Sequence, residues 1–212
     1  GFRNGRVVSD VVLYEKWKHL LSQTEQEYVW RSGIKHDCSK IMELHRVGEN
    51  RYQNGLGEEI ELEEEYIYPL VKSSDLFNER EPSKWVIMTQ KKVGDDTSAI
   101  EKIAPKTWAY LKSHQEDLAK RTSSIYKNRP PFSIFGIGSY SFSPWKVAIS
   151  GLYKEPRFRM LGTYLGKPIV ADDTVNFVSL GSAADAKELA GVLNSNSALS
   201  FLRAMTFVDA KR

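Results

Sequence analysis

The chain is short of cysteine and has no long apolar run. One cysteine, Cys38, stands among 212 residues and cannot close an internal disulfide, a usage that fits a reducing cytoplasm. No apolar stretch approaches the roughly 20 residues that a membrane helix needs, and no signal-peptide pattern opens the chain. We therefore expect a cytoplasmic protein without a membrane partner.

Residues that could carry catalysis or bind a metal do not form a convincing set. The segment His36-Asp37-Cys38 and nearby His45 carry atoms that bind zinc. One cysteine without a second Cys or His pair at a recognised spacing nevertheless argues against a zinc site. A Cys38 nucleophile that used His36 as its base would lack a third group to orient that base. Asp172-Asp173 is more typical of a turn or a cap than of a carboxylate pair.

The glycines at positions 136 and 138 also fall short of a cofactor signature. Gly136-Ile137-Gly138 begins like a dinucleotide fingerprint, but the third glycine and the helical pattern that should follow are absent. Residues 132–142 instead alternate aromatic or aliphatic side chains with small polar ones, which favours a strand. We interpret the glycines as a point of close backbone approach within that strand.

Composition and periodicity predict a soluble α+β domain. Hydrophobic residues make up 41% of the chain and charged residues 27%, which is ordinary for a globular protein. No repeat, linker or domain boundary is evident, so we expect residues 1–212 to form a single domain of twisted mixed β-sheets with flanking helices. Pro105 suits the first position of a helix with an apolar stripe at Trp108, Leu111 and Leu118. Predicted strands cover 28–34, 38–44, 58–62, 66–71, 85–89, 132–142, 146–149, 168–171 and 175–180; predicted helices cover 14–21, 99–121, 183–194 and 198–207; residues 48–57 form a predicted loop.

The net charge of +3 conceals a strong asymmetry along the chain. Residues 118–167 hold nine basic residues and one acidic residue, Glu155, which is a local net charge of +8. Residues 43–81 hold eleven acidic and four basic residues, which is a local net charge of −7. Separated charge of this kind creates local fields that the total hides. We expect the acidic run at 58–65 to be a solvated surface.

In the basic block, residues 118–167, cations are interspersed with flat aromatic rings. DNA phosphates require cations and backbone donors, and aromatic rings can stack on bases or wedge between them. Arg121, Lys127 and Arg129 stand close together beside the helix break at Pro130-Pro131, so we predict that they face solvent and bind DNA. A solvated surface without a ligand is the alternative. The rings that we expect in the core are those of Phe132, Phe135 and Phe142.

Five segments follow one another in an order that matches a known family. Residues 30–44 begin Trp-Arg-Ser-Gly-Ile, and residues 66–76, which contain Pro-Leu-Val-Lys-Ser-Ser-Asp, are similar to an apolar-Pro-Leu-Lys-x-x-Asp segment. Residues 110–121 form a predicted helix that ends in Leu-x-x-Arg, residues 135–150 span a predicted strand pair, and residues 190–195 contain Leu-Asn-Ser. From about Trp30 to the last residue, the chain resembles the TaqI-like C-terminal specificity (target-recognition) domain of type II restriction-modification adenine-N6 DNA methyltransferases.

The resemblance implies sequence-specific recognition of double-stranded DNA. In that family an N-terminal half binds S-adenosylmethionine and carries an Asn-Pro-Pro-aromatic catalytic loop, while the specificity half clamps the duplex. Asn128-Arg129-Pro130-Pro131-Phe132 is interrupted by an arginine and departs from that motif. We therefore expect an excised fragment that is not itself an enzyme and holds no cofactor. Its expected partners are DNA and the methyltransferase domain of the same parent chain, with residues 1–29 as a connector; the parent could also carry an endonuclease.

The resemblance and the charge pattern together assign thirteen residues to DNA. Family segments imply positions near DNA for Lys35, His36, Ser39, Lys40, Lys72, Ser73 and Asp75. We expect Arg121, Lys127 and Arg129 to hold phosphates, Tyr126 and Ser141 to reach base edges, and Lys146 to complete the set.

A second function class stays open from the sequence. The chain could be a protein–protein docking module of a restriction-modification complex, with the acidic run at 58–65 facing a partner and little affinity for DNA. A third possibility, a complete small enzyme, requires catalytic groups that the sequence does not supply.

Overall fold

A computed structural model describes residues 1–22, 28–152 and 155–207. Tyr153 and Lys154 of the basic block lie outside these residues. In the part of the chain that is described, no helix combines the length and the apolar character that crossing a bilayer requires.

The strands and helices form a mixed α+β architecture, as the composition and periodicity predict. The described strands are β1 (Phe2–Arg3), β2 (Arg6–Val7), β3 (Arg31–Ser32), β4 (Glu43–Gly48), β5 (Arg51–Asn54), β6 (Glu59–Glu61), β7 (Ile67–Val71), β8 (Lys84–Ile87), β9 (Trp145–Ser150), β10 (Phe158–Leu161), β11 (Thr163–Tyr164), β12 (Lys167–Pro168), β13 (Val170–Ala171) and β14 (Val175–Leu180). The larger sheet has six strands in the order β13-β7-β8-β4-β5-β6, and the smaller has four in the order β10-β9-β14-β3. All pairs in both sheets are antiparallel except β13 with β7.

Short helices cover the faces and ends of the sheets. Pro105 opens a helix as predicted, because its missing N–H would have no partner in the first turn. The helices are α1 (Val11–Trp17), α2 (Ser39–Met42), α3 (Ser73–Phe77), α4 (Ile100–Ile103), α5 (Pro105–Ser113), α6 (Gln115–Ala119), α7 (Ala183–Leu193) and α8 (Asn196–Met205).

The main core lies between the six-stranded sheet and helices α2, α4, α5 and α6. Leu44, Tyr52 and Ile67 from the strands are fully buried, and Leu111 from α5 packs into the same cluster. Burial of side chains of this size stabilises the fold by about 1.5–3 kcal/mol each. The loop that precedes α2 and the loop that follows α6 are therefore both attached to this one core.

A second core joins the two sheets. Val71 at the end of β7 and Leu76 in α3 pack against Ala148 of β9 and Phe177 of β14. The parallel pairing of β13 with β7 brings the chain from one sheet to the other, and β14 follows at once. The two sheets consequently meet at the carboxyl end of β7.

Pro69 lies inside β7 rather than at its end. Its residue pairs with Trp85 of β8, while β13 pairs only with Leu70 and Val71 on the other side of the strand. The second edge of β7 is therefore free of a partner strand at Pro69, which is the condition under which a strand tolerates proline.

Three sequence expectations about local structure are wrong. The strand expected at 38–44 begins only at Glu43, because Ser39–Met42 forms a helical turn that buries Ile41 and Met42. The loop expected at 48–57 contains β5, which pairs with both β4 and β6. The strand expected at 132–142 is a series of turns that ends in a 3-10 helix at Ser139–Phe142.

A small separate cluster packs the beginning of the chain against its last helix. The β1–β2 hairpin leads into α1, whose Tyr14 is buried with Val8 and with Ala204 of α8. The Ser9 hydroxyl donates to the backbone carbonyls of Arg203 and Ala204. Residues 1–17 are thus held on the domain by α8.

Candidate nucleic-acid interface

Two loops lie side by side at one end of the main core. The first covers residues 35–40, of which the last two begin α2; the second covers residues 120–133 and follows α6. Lys35 exchanges two backbone hydrogen bonds with Phe135, with N···O distances of 2.9 and 2.8 Å. This isolated bridge holds the start of the first loop beside the segment that follows the second loop.

The first loop exposes polar side chains because its backbone turns sharply. Asp37 has a φ of 51°, in the left-handed region that aspartate tolerates better than most residues. Ser39 and Lys40 follow at the start of α2 and are exposed, while Ile41 turns into the core. Lys35 is half-buried, and its ammonium lies 3.4 Å from Asp37 and 3.6 Å from Asp173.

Of the three exposed cations in the second loop, Lys120 pairs with Asp117, whereas Lys127 and Arg129 form no ion pair among the described residues. Between them Asn128 has a φ of 57°, and Phe132 at the end of the loop has a φ of 61°. A bulky residue with positive φ is strained, so its surroundings must hold it in place. Phe132 is indeed 2% exposed and packs edge-on against Trp108, with 5.3 Å between ring centroids.

Arg121 fastens the two loops together. Its Nη1 donates to the carbonyl of His36 at 3.2 Å and to that of Ser133 at 2.6 Å, while its Nε donates to the carbonyl of Leu118. Burial lowers the pKa of the Arg121 guanidinium, although an arginine stays charged in proteins. The structure therefore places the Arg121 side chain within the fold, where its bonds join the loops, rather than freely on the surface.

Tyr126 adds a second tie between the same loops. Its hydroxyl donates to the carbonyl of Lys35 at 3.1 Å, and the Arg121 guanidinium lies 4.0 Å above its ring. Burial raises the pKa of the Tyr126 hydroxyl well above its usual range, and the nearby charge of Asp37 raises it further. The hydroxyl is consequently a hydrogen-bond donor throughout the physiological range.

Lys72 belongs to a buried ion network around Glu43. The Glu43 carboxylate is 3% exposed and accepts from Lys72 at 2.5 Å and from Lys84 at 2.7 Å. His36 Nε2 lies 3.4 Å away, and His36 Nδ1 accepts from the backbone N–H of Cys38. Burial alone would raise the pKa of Glu43, but hydrogen bonds from His36, Lys72 and Lys84 lower it to about 2.

The sequence analysis did not identify Glu43 and Lys84 as parts of this network. One signal was available, because Glu43 follows Ile41-Met42 and precedes Leu44 in an otherwise apolar segment. An acid with buried neighbours on both sides requires a cationic partner. Which lysine would supply it depends on the pairing of β4 with β8 and of β8 with β7.

Ser73 and Asp75 hold the start of α3 in place. The Ser73 hydroxyl donates to the carbonyl of Thr174 at 2.5 Å, and its N–H donates to the Thr174 hydroxyl at 3.1 Å. Asp75 accepts from the backbone N–H of Lys72 at 3.2 Å. Asp172 accepts from the N–H and hydroxyl of Thr174, which is the turn role expected from the sequence.

Ser141 and Lys146 lie in the interior of the described structure. Ser141 is 2% exposed, and its hydroxyl accepts from the backbone N–H of Gly138. Lys146 is 1% exposed and donates to the carbonyls of Ser143 at 2.5 Å and Ile169 at 2.9 Å. Burial lowers the pKa of the Lys146 amine to about 7. Neither side chain reaches the surface where a DNA contact could form.

The acidic run at 58–65 is largely paired with cations and donors of the same chain. Glu59 binds Arg51 at 2.7 Å, and Glu64 binds Arg46 at 2.9 Å. Glu61 binds the ammonium of Lys106. Glu63 accepts from the backbone N–H groups of Lys106 and Thr107 at the start of α5, where a carboxylate is favoured. The run thus contributes to the fold as well as to the surface.

No group of three or more His, Cys, Asp or Glu side chains within residues 1–22, 28–152 and 155–207 is arranged to hold a metal ion. Cys38 is half-buried, and burial raises the pKa of its thiol. Its backbone N–H, rather than its sulfur, is the group that contacts the His36 ring. Within the described part of the chain, no His, Asp or Glu side chain is hydrogen-bonded to the thiol.

Comparison with known proteins gives one strong match in sequence. The chain is 43% identical over 214 aligned positions to the type II methyltransferase M.NspV of Nostoc sp. (strain ATCC 29411 / PCC 7524). The alignment covers all of this chain and 44% of that relative, so the chain spans less than half of the relative's length. No protein-family model matches the chain.

Among solved structures, the chain is similar to part of the type IIL restriction-modification enzyme MmeI, which was determined in complex with DNA. The TM-score is 0.49 and the sequence identity is 13%, over 81% of this chain and 21% of that protein. A likeness of this size does not establish a common fold. The sequence match over the full length of the chain is therefore the comparison that relates it to a type II methyltransferase.

Proposed function

We propose that this chain is the target-recognition domain of a type II adenine-N6 DNA methyltransferase and that it binds double-stranded DNA. The observation that carries the proposal is the pair of clamped loops, which present the exposed side chains of Lys40, Lys127 and Arg129 on one rigid support. The 43% identity to a type II methyltransferase and the resemblance of residues 30–212 to TaqI-like specificity domains support it.

The electrostatics of the loops suit a polyanion. Each cation that neutralises a phosphate releases condensed counterions from DNA, which supplies a large, salt-dependent part of the affinity. Lys127 and Arg129 are exposed, and Lys35 is partly neutralised by Asp37 and Asp173. We assign phosphate contacts to Lys40, Lys127 and Arg129, with Ser39 and Lys35 as further polar contacts.

Arg121 and Tyr126 enter this proposal as residues that position the loops. The carbonyl oxygens of His36, Ser133 and Lys35 accept from Arg121 Nη1 and from the Tyr126 hydroxyl, so these two side chains hold the surface in shape. Ser73, Ser141 and Lys146 are buried and are left out of the proposed interface. Lys72, although partly exposed, is held by Glu43, and we assign it to the support of the loop that contains His36.

The methyl-transfer chemistry would belong to another part of the parent protein. The residues described here do not fit a cofactor cradle at Gly136-Ile137-Gly138, because a 3-10 turn follows it in place of a helix. A Cβ on Gly136 would lie 2.7 Å from the carbonyl oxygen of Gly33, so this glycine serves chain packing. S-adenosylmethionine and the catalytic Asn-Pro-Pro-aromatic loop are accordingly proposed for the remaining half of the longer protein.

The alternative of a protein-docking module finds less support in the contacts. It requires the acidic run at 58–65 to face a partner with its charge available. Glu59, Glu61 and Glu64 instead pair with Arg51, Lys106 and Arg46 of the same chain. Their charge is partly neutralised before any partner approaches, whereas Lys127 and Arg129 are exposed and form no ion pair within residues 1–22, 28–152 and 155–207.

Fluorescence anisotropy with a labelled random-sequence duplex over a salt series tests the proposal. We expect a Kd of about 10⁻⁴–10⁻⁶ M near physiological salt, with log K falling as log salt rises. The double variant K127E/R129E should bind more weakly and reduce the salt slope by about two. The matched control K102E/K187E makes the same charge change at exposed positions on α4 and α7.

Equal losses in both double variants would mean that only net charge matters and would contradict the assigned surface. Absence of salt-dependent binding by the unmodified domain would overturn the proposal and favour the docking module.

A further inference from the structure

A cleft opens beside the two clamped loops, between the end of α6 and residues 121–132. Its volume is about 480 Å³, within the range of about 300–1,000 Å³ that is usual for ligand pockets. Ala119 lies at its α6 side, Pro130 and Pro131 line another wall, and Lys127 and Arg129 line it as well. The cleft therefore combines apolar walls with two exposed cations.

The wall nearest the core contains a charged guanidinium and an aromatic ring in contact with each other. Arg121 and Tyr126 both line the cleft, with the guanidinium stacked 4.0 Å above the ring. The hydrogen bonds of Arg121 to His36, Ser133 and Leu118 use Nε and Nη1 and leave Nη2 outside them. A guanidinium with a donor to spare, backed by an aromatic ring, suits a flat ligand with acceptor atoms.

The size of the cleft limits what can enter it. A cube of this volume has an edge of about 8 Å, whereas the major groove of B-DNA alone is about 12 Å wide. A paired duplex cannot enter, but a single unstacked nucleotide is a flat ring with an anionic phosphate attached. Its phosphate matches the cations, and its ring matches the apolar and aromatic walls.

We propose that this cleft takes one unstacked nucleotide of the DNA, with its phosphate at Lys127 and Arg129 and its base against Pro131 and the Tyr126–Arg121 pair. The inference rests on the proposed function, since it presupposes that the two loops contact DNA. It adds a site that captures a nucleotide outside the helical stack. Packing of the buried Phe132 ring against Trp108 holds the backbone at its strained positive φ and so fixes the end of the loop that lines this site.

A duplex with one unpaired thymidine tests the inference, because its unpaired nucleotide needs less free energy to leave the stack. The probe is a fluorescein-labelled duplex with that bulge, compared with the fully paired duplex of the same sequence. We expect the domain to bind the bulged duplex at least about fivefold more tightly, which corresponds to the lower end of measured base-stacking contributions.

Filling the cleft should abolish the preference. Ala119 is exposed on α6 and lines the cleft, so A119F should bind both duplexes equally. The matched control A109F places the same ring on the exposed face of α5, away from the cleft, and should keep the preference. T122W, at a second exposed position in the lining, repeats the test if A119F does not fold.

The outcomes separate the inference from the proposed function. Equal, salt-dependent binding of bulged and paired duplexes would overturn the nucleotide cleft and leave DNA recognition standing. A preference that survives in A119F, or in T122W where A119F does not fold, would also overturn it. Failure to bind either duplex at low salt would overturn the proposed function and, with it, the inference.

Discussion

The guanidinium carbon of Arg121 lies 4.0 Å from the centroid of the Tyr126 ring, five residues further along the chain. The pair is anchored at both ends, because Arg121 donates to His36 and Ser133 and Tyr126 donates to Lys35. Two loops that are distant in sequence thereby become one surface. The exposed cations of the proposed interface depend on this clamp for their relative positions.

Replacing Arg121 with lysine should loosen the interface without removing charge. A lysine cannot donate to two carbonyls in a planar fork or stack in the same way, so we expect a loss of about 1–3 kcal/mol in the free energy of unfolding. DNA affinity should fall while the salt slope stays near that of the unmodified domain. Urea denaturation and the anisotropy salt series measure the two effects, and R129K serves as the exposed control. In R121Q, which removes the charge, a salt slope reduced by about one would show instead that Arg121 itself contacts phosphate.

Glu43 should make the domain sensitive to acid. Its pKa is lowered from 4.5 to about 2 in the folded state, so its stabilising effect is complete above pH 4.5 and is lost as the pH falls towards 2. In E43Q this part of the pH dependence should disappear. The variant should also be less stable by about 3 kcal/mol at neutral pH, because Lys72 and Lys84 lose their carboxylate. Thermal unfolding from pH 2 to 7 compares the two, and an unchanged acid transition in E43Q would contradict the assignment.

Lys146 should have the opposite effect at alkaline pH. Burial lowers its pKa from 10.5 to about 7, so the folded state disfavours the proton that the unfolded chain binds. Stability should rise as the pH increases from about 7 towards 10.5 and should change little through this group below 7. K146M should flatten that rise by a few kcal/mol, as denaturation melts across this range would report. An equal rise of stability with pH in K146M would show that other groups cause it.

Gly33 should tolerate no side chain. A Cβ at this position would lie 2.2 Å from the carbonyl oxygen of Asp172 and 2.3 Å from that of Ala171, and both are backbone atoms that cannot move aside cheaply. We expect G33A to destabilise the domain by about 3 kcal/mol in chemical denaturation. The control G191A lies in α7 with open space around it and should stabilise by about 0.5–1 kcal/mol. A neutral G33A would show that the β3 segment can move away from the turn at Asp172.

Local patterns predicted the regular elements well. Alternation around Ile60, the apolar run that contains Pro69 and the strand at Val175–Leu180 each correspond to a strand, and Pro105 opens a helix. These signals depend on neighbours within a few residues. The strand predictions at 38–44 and 132–142 were wrong because turns bury the apolar side chains of these segments. Side chains in such turns do not repeat every two residues, as in a strand, or every 3.6 residues, as in a helix.

The sequence by itself determined the α+β class, the positions of most strands and helices, and the clustering of positive charge at 118–167. It also determined the resemblance to specificity domains. Each of these properties depends only on the composition, the spacing of residues or the order of segments along the chain. Only the tertiary structure decided which cations are free. Arg121, Lys72 and Lys146 are as basic in the sequence as Lys127 and Arg129, but packing surrounds the first three with carbonyl or carboxylate oxygens from distant segments. A charge becomes available to a ligand only where the fold supplies no partner of its own, and that depends on contacts between residues far apart in the chain.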